Sequence, residues 1–310
     1  MGMSGAYGAA DRAESIATVH AALDAGITLL DTGDFYGTGH NELLLAEALR
    51  SRPRDTYQLS VKFGAQMGPD GAWLGFDTRP AAVKTAAAYS LQRLGTDYLD
   101  VYRPARLDPT VPIEDTVGAI GELVDAGHVR HIGLSEVGSE TIRRAAAVRP
   151  ISDLQIEYSL LDRGVERDIL GTCREFGIGV TAYGVLSRGL ISGHWTNSAG
   201  AEGDFRSMYP RFSGANLDRN LALVDALRGV AADLGVSVAQ AAIAWVASRG
   251  DDIVPLIGAR TRTRLTEALG AVDVALTDDQ SARMEAAVPA DKVAGDRYPA
   301  AQMAALDSER

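Results

Sequence analysis

Short apolar runs alternate with longer segments whose apolar positions recur every three or four residues, over nearly the whole chain. Ile27-Thr28-Leu29-Leu30 is the first run, closed by Asp31 and Thr32. Tyr57-Gln58-Leu59-Ser60-Val61-Lys62 is the second. Further strand-like runs lie near residues 98, 131, 153, 178 and 253, seven in all. Between the runs, 13–25 reads as a helix because Ile16, Val19, Ala22 and Leu23 repeat at a helical period. Helices are likewise predicted over 41–50, 80–94, 112–123, 139–148, 165–176, 216–234, 238–248, 262–269 and 277–287. Pro80 opens one of them, at the first turn, where the ring is tolerated; Gly26 and Gly127 end two others. This rhythm is that of a parallel sheet. A closed (β/α)8 barrel needs eight strands, one more than the pattern shows, and an open doubly wound sheet stays compatible with it. No GxGxxG follows a first strand, so the usual dinucleotide fingerprint is absent.

Composition narrows the picture. A chain of 310 residues with 46% apolar content fits one α/β barrel domain, 1–310. Two irregular stretches stand out within it, a long loop at 184–216 and a polar tail at 288–310. The 30 basic against 41 acidic side chains give a net charge of −11, which argues against generalised binding to nucleic acid or anionic lipid. The single Cys173 excludes an intrachain disulfide framework, and the five histidines show no metal-ligand spacing. No apolar stretch reaches the ~18 residues of a membrane span, and no signal segment opens the chain, so a cytoplasmic location is expected.

The chemistry gathers at the first two runs. Asp31 and Lys62 fall at or near their carboxyl ends, which in a parallel barrel open into the active-site mouth, and Tyr36 lies on the loop between them. A carboxylate can hold the ammonium, and the ammonium can depress the phenol pKa, giving a proton-donating unit. An ordinary strand-end ion pair beside a surface tyrosine is the other reading. The glycine-containing loop 64–79 carries Trp73 and Phe76, either a substrate-pocket wall or a surface loop tucking its own aromatics.

Several motifs taken together resemble the aldo-keto reductase family. They are Asp31-Thr32-Gly33-Asp34-Phe35-Tyr36-Gly37, Lys62 ending its strand, Gly133-Leu134-Ser135-Glu136, Gln155-Ile156-Glu157-Tyr158-Ser159 and Pro255-Leu256-Ile257-Gly258-Ala259-Arg260. The resemblance covers about 1–269. It implies a (β/α)8 barrel that binds NADPH at the strand carboxyl ends and reduces an aldehyde or ketone. It also implies that the N-terminal hairpin and most of the first strand are missing here, which accounts for the count of seven.

By this resemblance Tyr36 is the general acid, Lys62 tunes it and Asp31 orients Lys62. Ala105, in Tyr102-Arg103-Pro104-Ala105-Arg106, stands where the family usually has histidine. Arg103, two residues earlier, is the candidate to assist the oxyanion or bind an anionic substituent. His40 is a second candidate donor, and water a third. Ser135 and Gln155 match residues that bond the nicotinamide carboxamide, with Glu136 replacing asparagine. Tyr183 matches the aromatic that stacks on the ring, and Leu186, Ser187 and Arg188 fall near the pyrophosphate. After the last strand, Gly258, Arg260 and Arg264 suit a 2′-phosphate, since guanidinium matches phosphate and a helix start adds NH groups. Glu267 matches an adenine-side carboxylate. Phe35, Trp73, Phe76 and Tyr102 form the expected apolar pocket. Two further readings stay open, a pyridoxal reductase or pyridoxine 4-dehydrogenase-like enzyme, and a slow-turnover, NADPH-binding redox sensor resembling the β subunits of potassium channels. Oligomeric state is not legible.

Overall fold

Alternation within the strands decides which side of the sheet becomes core and which becomes chemistry. The computed structural model describes residues 1–5, 8–195 and 205–310. The strands are β1 (Leu29–Gly33), β2 (Gln58–Phe63), β3 (Ala65–Met67), β4 (Trp73–Phe76), β5 (Leu99–Pro104), β6 (Val129–Ser135), β7 (Ile151–Glu157), β8 (Gly179–Tyr183) and β9 (Ile253–Pro255). Seven of them form one parallel sheet in the order β1-β2-β5-β6-β7-β8-β9, and these are the seven expected runs. The sheet is an open α/β half-barrel, one strand short of the closed eight, with β1 and β9 at its edges.

The helices are α1 (Arg12–Asp24), α2 (His40–Leu49), α3 (Pro80–Leu94), α4 (Ile113–Asp125), α5 (Ser139–Val148), α6 (Ile169–Phe176), α7 (Gly214–Asp233), α8 (Val238–Ala247), α9 (Arg262–Leu269), α10 (Asp278–Ala287) and α11 (Ala300–Met303). α2, α3, α4, α6 and α8 pack on β1, β2, β6, β8 and β9 respectively. Successive residues of a strand point to opposite faces. Leu59, Val61, Phe63, Leu134, Leu154 and Val180, all buried, alternate with Ser60, Lys62, Ser135, Asp153, Gln155 and Thr181. The first set makes the core against the helices, and the second lines the concave face.

The structure departs from the expectations at three places. Loop 64–79 contains the antiparallel hairpin β3–β4. The helix expected at 165–176 is broken into a 3-10 turn, Gly164–Glu166, and α6. The tail 288–310 contributes buried Arg297 and Leu306, with 3-10 turns and α11 around them. Of the loop 184–216, residues 196–204 lie outside the described residues. Its visible ends form 3-10 turns, and Trp195 stacks on Phe212 at 5.3 Å. No single helix among the described residues is long and apolar enough to cross a membrane, and no group of potential metal ligands gathers among them.

Candidate active site

The parallel register of β1 and β2 sets Asp31 opposite Ser60 and Gly33 opposite Lys62, on the concave face near the strand carboxyl ends. Lys62 Nζ donates to Asp31 Oδ1 at 2.5 Å, with both side chains almost fully buried. Ser60 Oγ and Gln155 Nε2 donate to Asp31 Oδ2 at 3.0 and 2.7 Å. Burial alone would raise the Asp31 carboxyl. The Lys62 and Arg103 charges and these hydrogen bonds outweigh it and hold the carboxyl below its ordinary value. Burial also lowers the Lys62 ammonium, against the pull of Asp31.

Tyr36 follows β1 in a turn closed by its NH to the Gly33 carbonyl at 3.0 Å. Its ring centroid lies 5.1 Å from Lys62 Nζ, and Phe35 packs edge-on against it at 4.8 Å. Thr32 donates to Asn41 in a buried hydrogen bond and Asn41 donates to Ser4 in a half-buried one, which together hold the turn. His40 is exposed, with Nδ1 3.0 Å from Ser4 Oγ.

The expected pocket residues separate. Tyr102 is fully buried on the helix side, stacked on Phe63 at 4.3 Å and donating to the Val83 carbonyl. Alternation is the reason: Tyr102 and Arg103 are neighbours on one strand and cannot both face the cavity. Arg103 does face inward but lies inside the half-barrel, 0% exposed, donating to Ser60 at 2.6 Å. Its Nη1 meets Asp153 Oδ2 at 2.5 Å without hydrogen-bond alignment. It is a paired interior cation. Ala105 is buried, its NH bonded to the Phe63 carbonyl. Trp73 is 55% exposed on the β3–β4 hairpin, edge-on to Phe76 at 4.8 Å.

Around the ends of β6, β7 and β8 the structure adds partners from the tail, which sequence spacing missed. Glu136 adopts a left-handed backbone, φ 54°, just past β6. Its carboxylate accepts from the Glu157 NH at 2.9 Å, the Tyr183 hydroxyl at 2.6 Å, Arg297 at 2.6 and 2.9 Å, and Ser308 at 2.7 Å. It is therefore committed to the tail rather than open toward a carboxamide. Gln155 likewise directs its amide NH2 to Asp31. Tyr183 OH also meets Tyr298 OH at 2.9 Å. Arg188 forks onto Glu157 at 3.0 and 3.1 Å, its guanidinium 4.7 Å from the Tyr298 ring. Leu186 precedes it in a sharp turn where Ser187 and Arg188 have positive φ. The Ser135 hydroxyl lies 3.5 Å from Arg106 Nη1.

Burial would raise the Glu136 carboxyl, but the Arg297 charge and hydrogen bonds prevail, aided by Arg106, and hold it at about 2 against an ordinary 4.5. A depressed carboxyl stabilises the fold above its unfolded value, and the contribution is lost as pH falls from there through the folded value. Glu136→Gln is thus expected to flatten the acid side of a melting-temperature profile between about pH 5 and 3. An unchanged acid limb in the variant contradicts this.

Beyond β9, Thr261 caps α9 by accepting from the Arg264 NH. Arg264 pairs with Glu267 at 3.1 Å, and Glu267 also meets His194 at 2.8 Å. Arg262 forks onto Glu14, and Arg260 Nη1 donates to the Ala9 carbonyl at 3.3 Å. Gly258 has open space where a Cβ would stand.

Residues 1–289 match the Aldo/keto reductase family. The chain belongs to that family. It is 39% identical over 301 residues to a probable aldo-keto reductase of Glycine max, covering 96% of this chain and 86% of that one. The glycerol dehydrogenase of Gluconobacter oxydans superposes with TM-score 0.84 at 28% identity, over 93% of this chain and 90% of that one. An aldo/keto reductase from Klebsiella pneumoniae, solved with NADP and acetate, gives TM-score 0.70 at 26% identity, over 95% and 91%. This aldo/keto reductase is an oxidoreductase of carbonyl or alcohol groups. Its Asp31, Tyr36 and Lys62 come together at one mouth; Arg103 and Tyr102 lie below and behind it.

Proposed function

We propose that the protein reduces an aldehyde or ketone to the alcohol with NADPH as cofactor, Tyr36 giving the proton. The observation that carries this reading is the buried Asp31–Lys62 pair, with the Lys62 ammonium 5.1 Å from the Tyr36 ring at the strand ends. Negative charge grows on the carbonyl oxygen as the bond to carbon forms, and a phenol held beside an ammonium can neutralise it there. Reduced nicotinamide supplies the hydride when bound. Lys62 stabilises the Tyr36 oxygen as its proton leaves, and Asp31 keeps Lys62 in place. Ala105 offers no donor, so in this reading the phenol works without a histidine partner.

The residues present fit a dinucleotide. The buried Ser187 hydroxyl has no hydrogen-bond partner in the turn after Tyr183, which suits a pyrophosphate oxygen. Glu136 and Tyr298 both fix the Tyr183 hydroxyl, which would steady its ring against the nicotinamide. Ser135 and Gln155 would remain near the carboxamide, Leu186 and Arg188 near the pyrophosphate. Arg260 and Arg264, beside Gly258 and Glu267 at the start of α9, would hold the 2′-phosphate. The NADP-bound K. pneumoniae relative supports the same choice.

The test is to titrate NADPH by its fluorescence, then follow loss of the nicotinamide absorbance with a panel of aldehydes, pyridoxal included. Turnover of about 1 per second or more falls in the ordinary enzyme range. Tight binding with no turnover across the panel sinks the reductase reading and favours a sensor. For the 2′-phosphate, Arg264→Ala is expected to raise the NADPH Kd about tenfold and leave the NADH Kd nearly unchanged. Equal weakening of both cofactors would remove Arg264 from that role.

A further inference from the structure

Five cations on the concave face and at its mouth, among the described residues, are matched to carboxylates. Lys62 pairs with Asp31, Arg103 with Asp153, Arg188 with Glu157, Arg211 with Asp162, and Arg297 with Glu136. Arg106 has no carboxylate within 4.0 Å among the described residues. Its bonds go to neutral groups: the Ala105 carbonyl at 2.6 Å, the Tyr298 hydroxyl at 3.2 Å and, weakly, the Ser135 hydroxyl at 3.5 Å. The side chain is partly exposed, follows directly after Ala105, and lies close enough to Lys62 for the two charges to repel.

Glu136 acts on Arg106 only through space, without a direct contact, so the planar guanidinium fork stays open to a carboxylate or phosphate. We infer that Arg106 sets substrate choice, binding an anionic group carried by the carbonyl compound. This rests on the reductase reading above. The reaction itself is unchanged: hydride adds to the carbonyl carbon and the Tyr36 proton to its oxygen. The negative charge that sequence reasoning assigned to Arg103 falls instead to Arg106, because Arg103 is already paired with Asp153.

The experiment compares matched substrates by kcat/KM: 4-carboxybenzaldehyde against benzaldehyde, and pyridoxal 5′-phosphate against pyridoxal. The first pair reads carboxylate recognition and the second phosphate. In at least one pair the wild-type protein is expected to favour the anionic member by roughly 10- to 100-fold, as a charged hydrogen bond allows. Arg106→Met should bring that ratio close to one, and Arg106→Lys should restore part of it. Should Arg106→Met fail to fold, the wild type still decides: added salt must depress kcat/KM for the anionic member more than for the neutral one. Ratios near one in the wild type, or ratios unchanged in Arg106→Met, overturn the assignment. So does a variant that loses NADPH affinity while keeping its ratios, since the cation would then serve the cofactor. A wild type that reduces neither member of either pair overturns the reductase reading itself, whereas equal reduction of both members removes only Arg106.

Discussion

Tyr36→Phe is expected to lower kcat by about a hundredfold to ten-thousandfold, the range for losing a general acid, while the NADPH Kd stays within about threefold. The substitution removes one oxygen and keeps the ring. The edge-on contact with Phe35 and the turn closed on Gly33 can therefore persist. What disappears is the phenol hydroxyl proposed as the proton donor. Matched kinetics and NADPH fluorescence titrations of the two proteins check this. If the variant keeps more than about a third of the wild-type kcat, the proton comes from elsewhere, with His40 or water next in line.

The second large effect concerns stability. Arg297→Met is expected to cost about 3–5 kcal/mol, since it leaves the Glu136 carboxylate buried without its cation. Glu136 is fully enclosed, and Arg297 reaches it with two hydrogen bonds across most of the chain. A fall in melting temperature on the order of 10 °C is expected, larger at neutral pH than near pH 3, where the carboxyl can take a proton more cheaply. The double variant Glu136→Gln, Arg297→Met should recover part of the loss, since the Glu136 charge is gone while Asp162 and Glu309 still lose their contact with Arg297. A single variant that melts within about 2 °C of wild type would mean that water or another cation replaces Arg297.

The sheet was legible because its strands alternate so regularly. Ser60 and Lys62 against Leu59, Val61 and Phe63 state both the strand and its polar face. Asp31 and Lys62 could be placed at neighbouring strand ends for the same reason. That alternation also excludes Tyr102 from the cavity once Arg103 faces it. The tail was not legible. Arg297 and Tyr298 act on Glu136 and Tyr183 at separations of 161 and 115 residues, and no local period or turn signal encodes such a contact. Only an arginine-tyrosine pair in an otherwise polar stretch hinted at it. Arg106 is visible in the sequence as a charge, but that it touches only neutral groups depends on contacts with Ser135 and Tyr298, far from it in sequence.

The most direct test of the account is a single turnover with NADPH carrying deuterium at the transferable position of the nicotinamide. The wild-type protein is mixed with this cofactor and an aldehyde, and the alcohol is analysed by mass and by NMR. One deuterium per alcohol is expected, on the former carbonyl carbon, since the hydride passes directly from the ring to that carbon. Alcohol without the label, or no alcohol although NADPH binds, would contradict it.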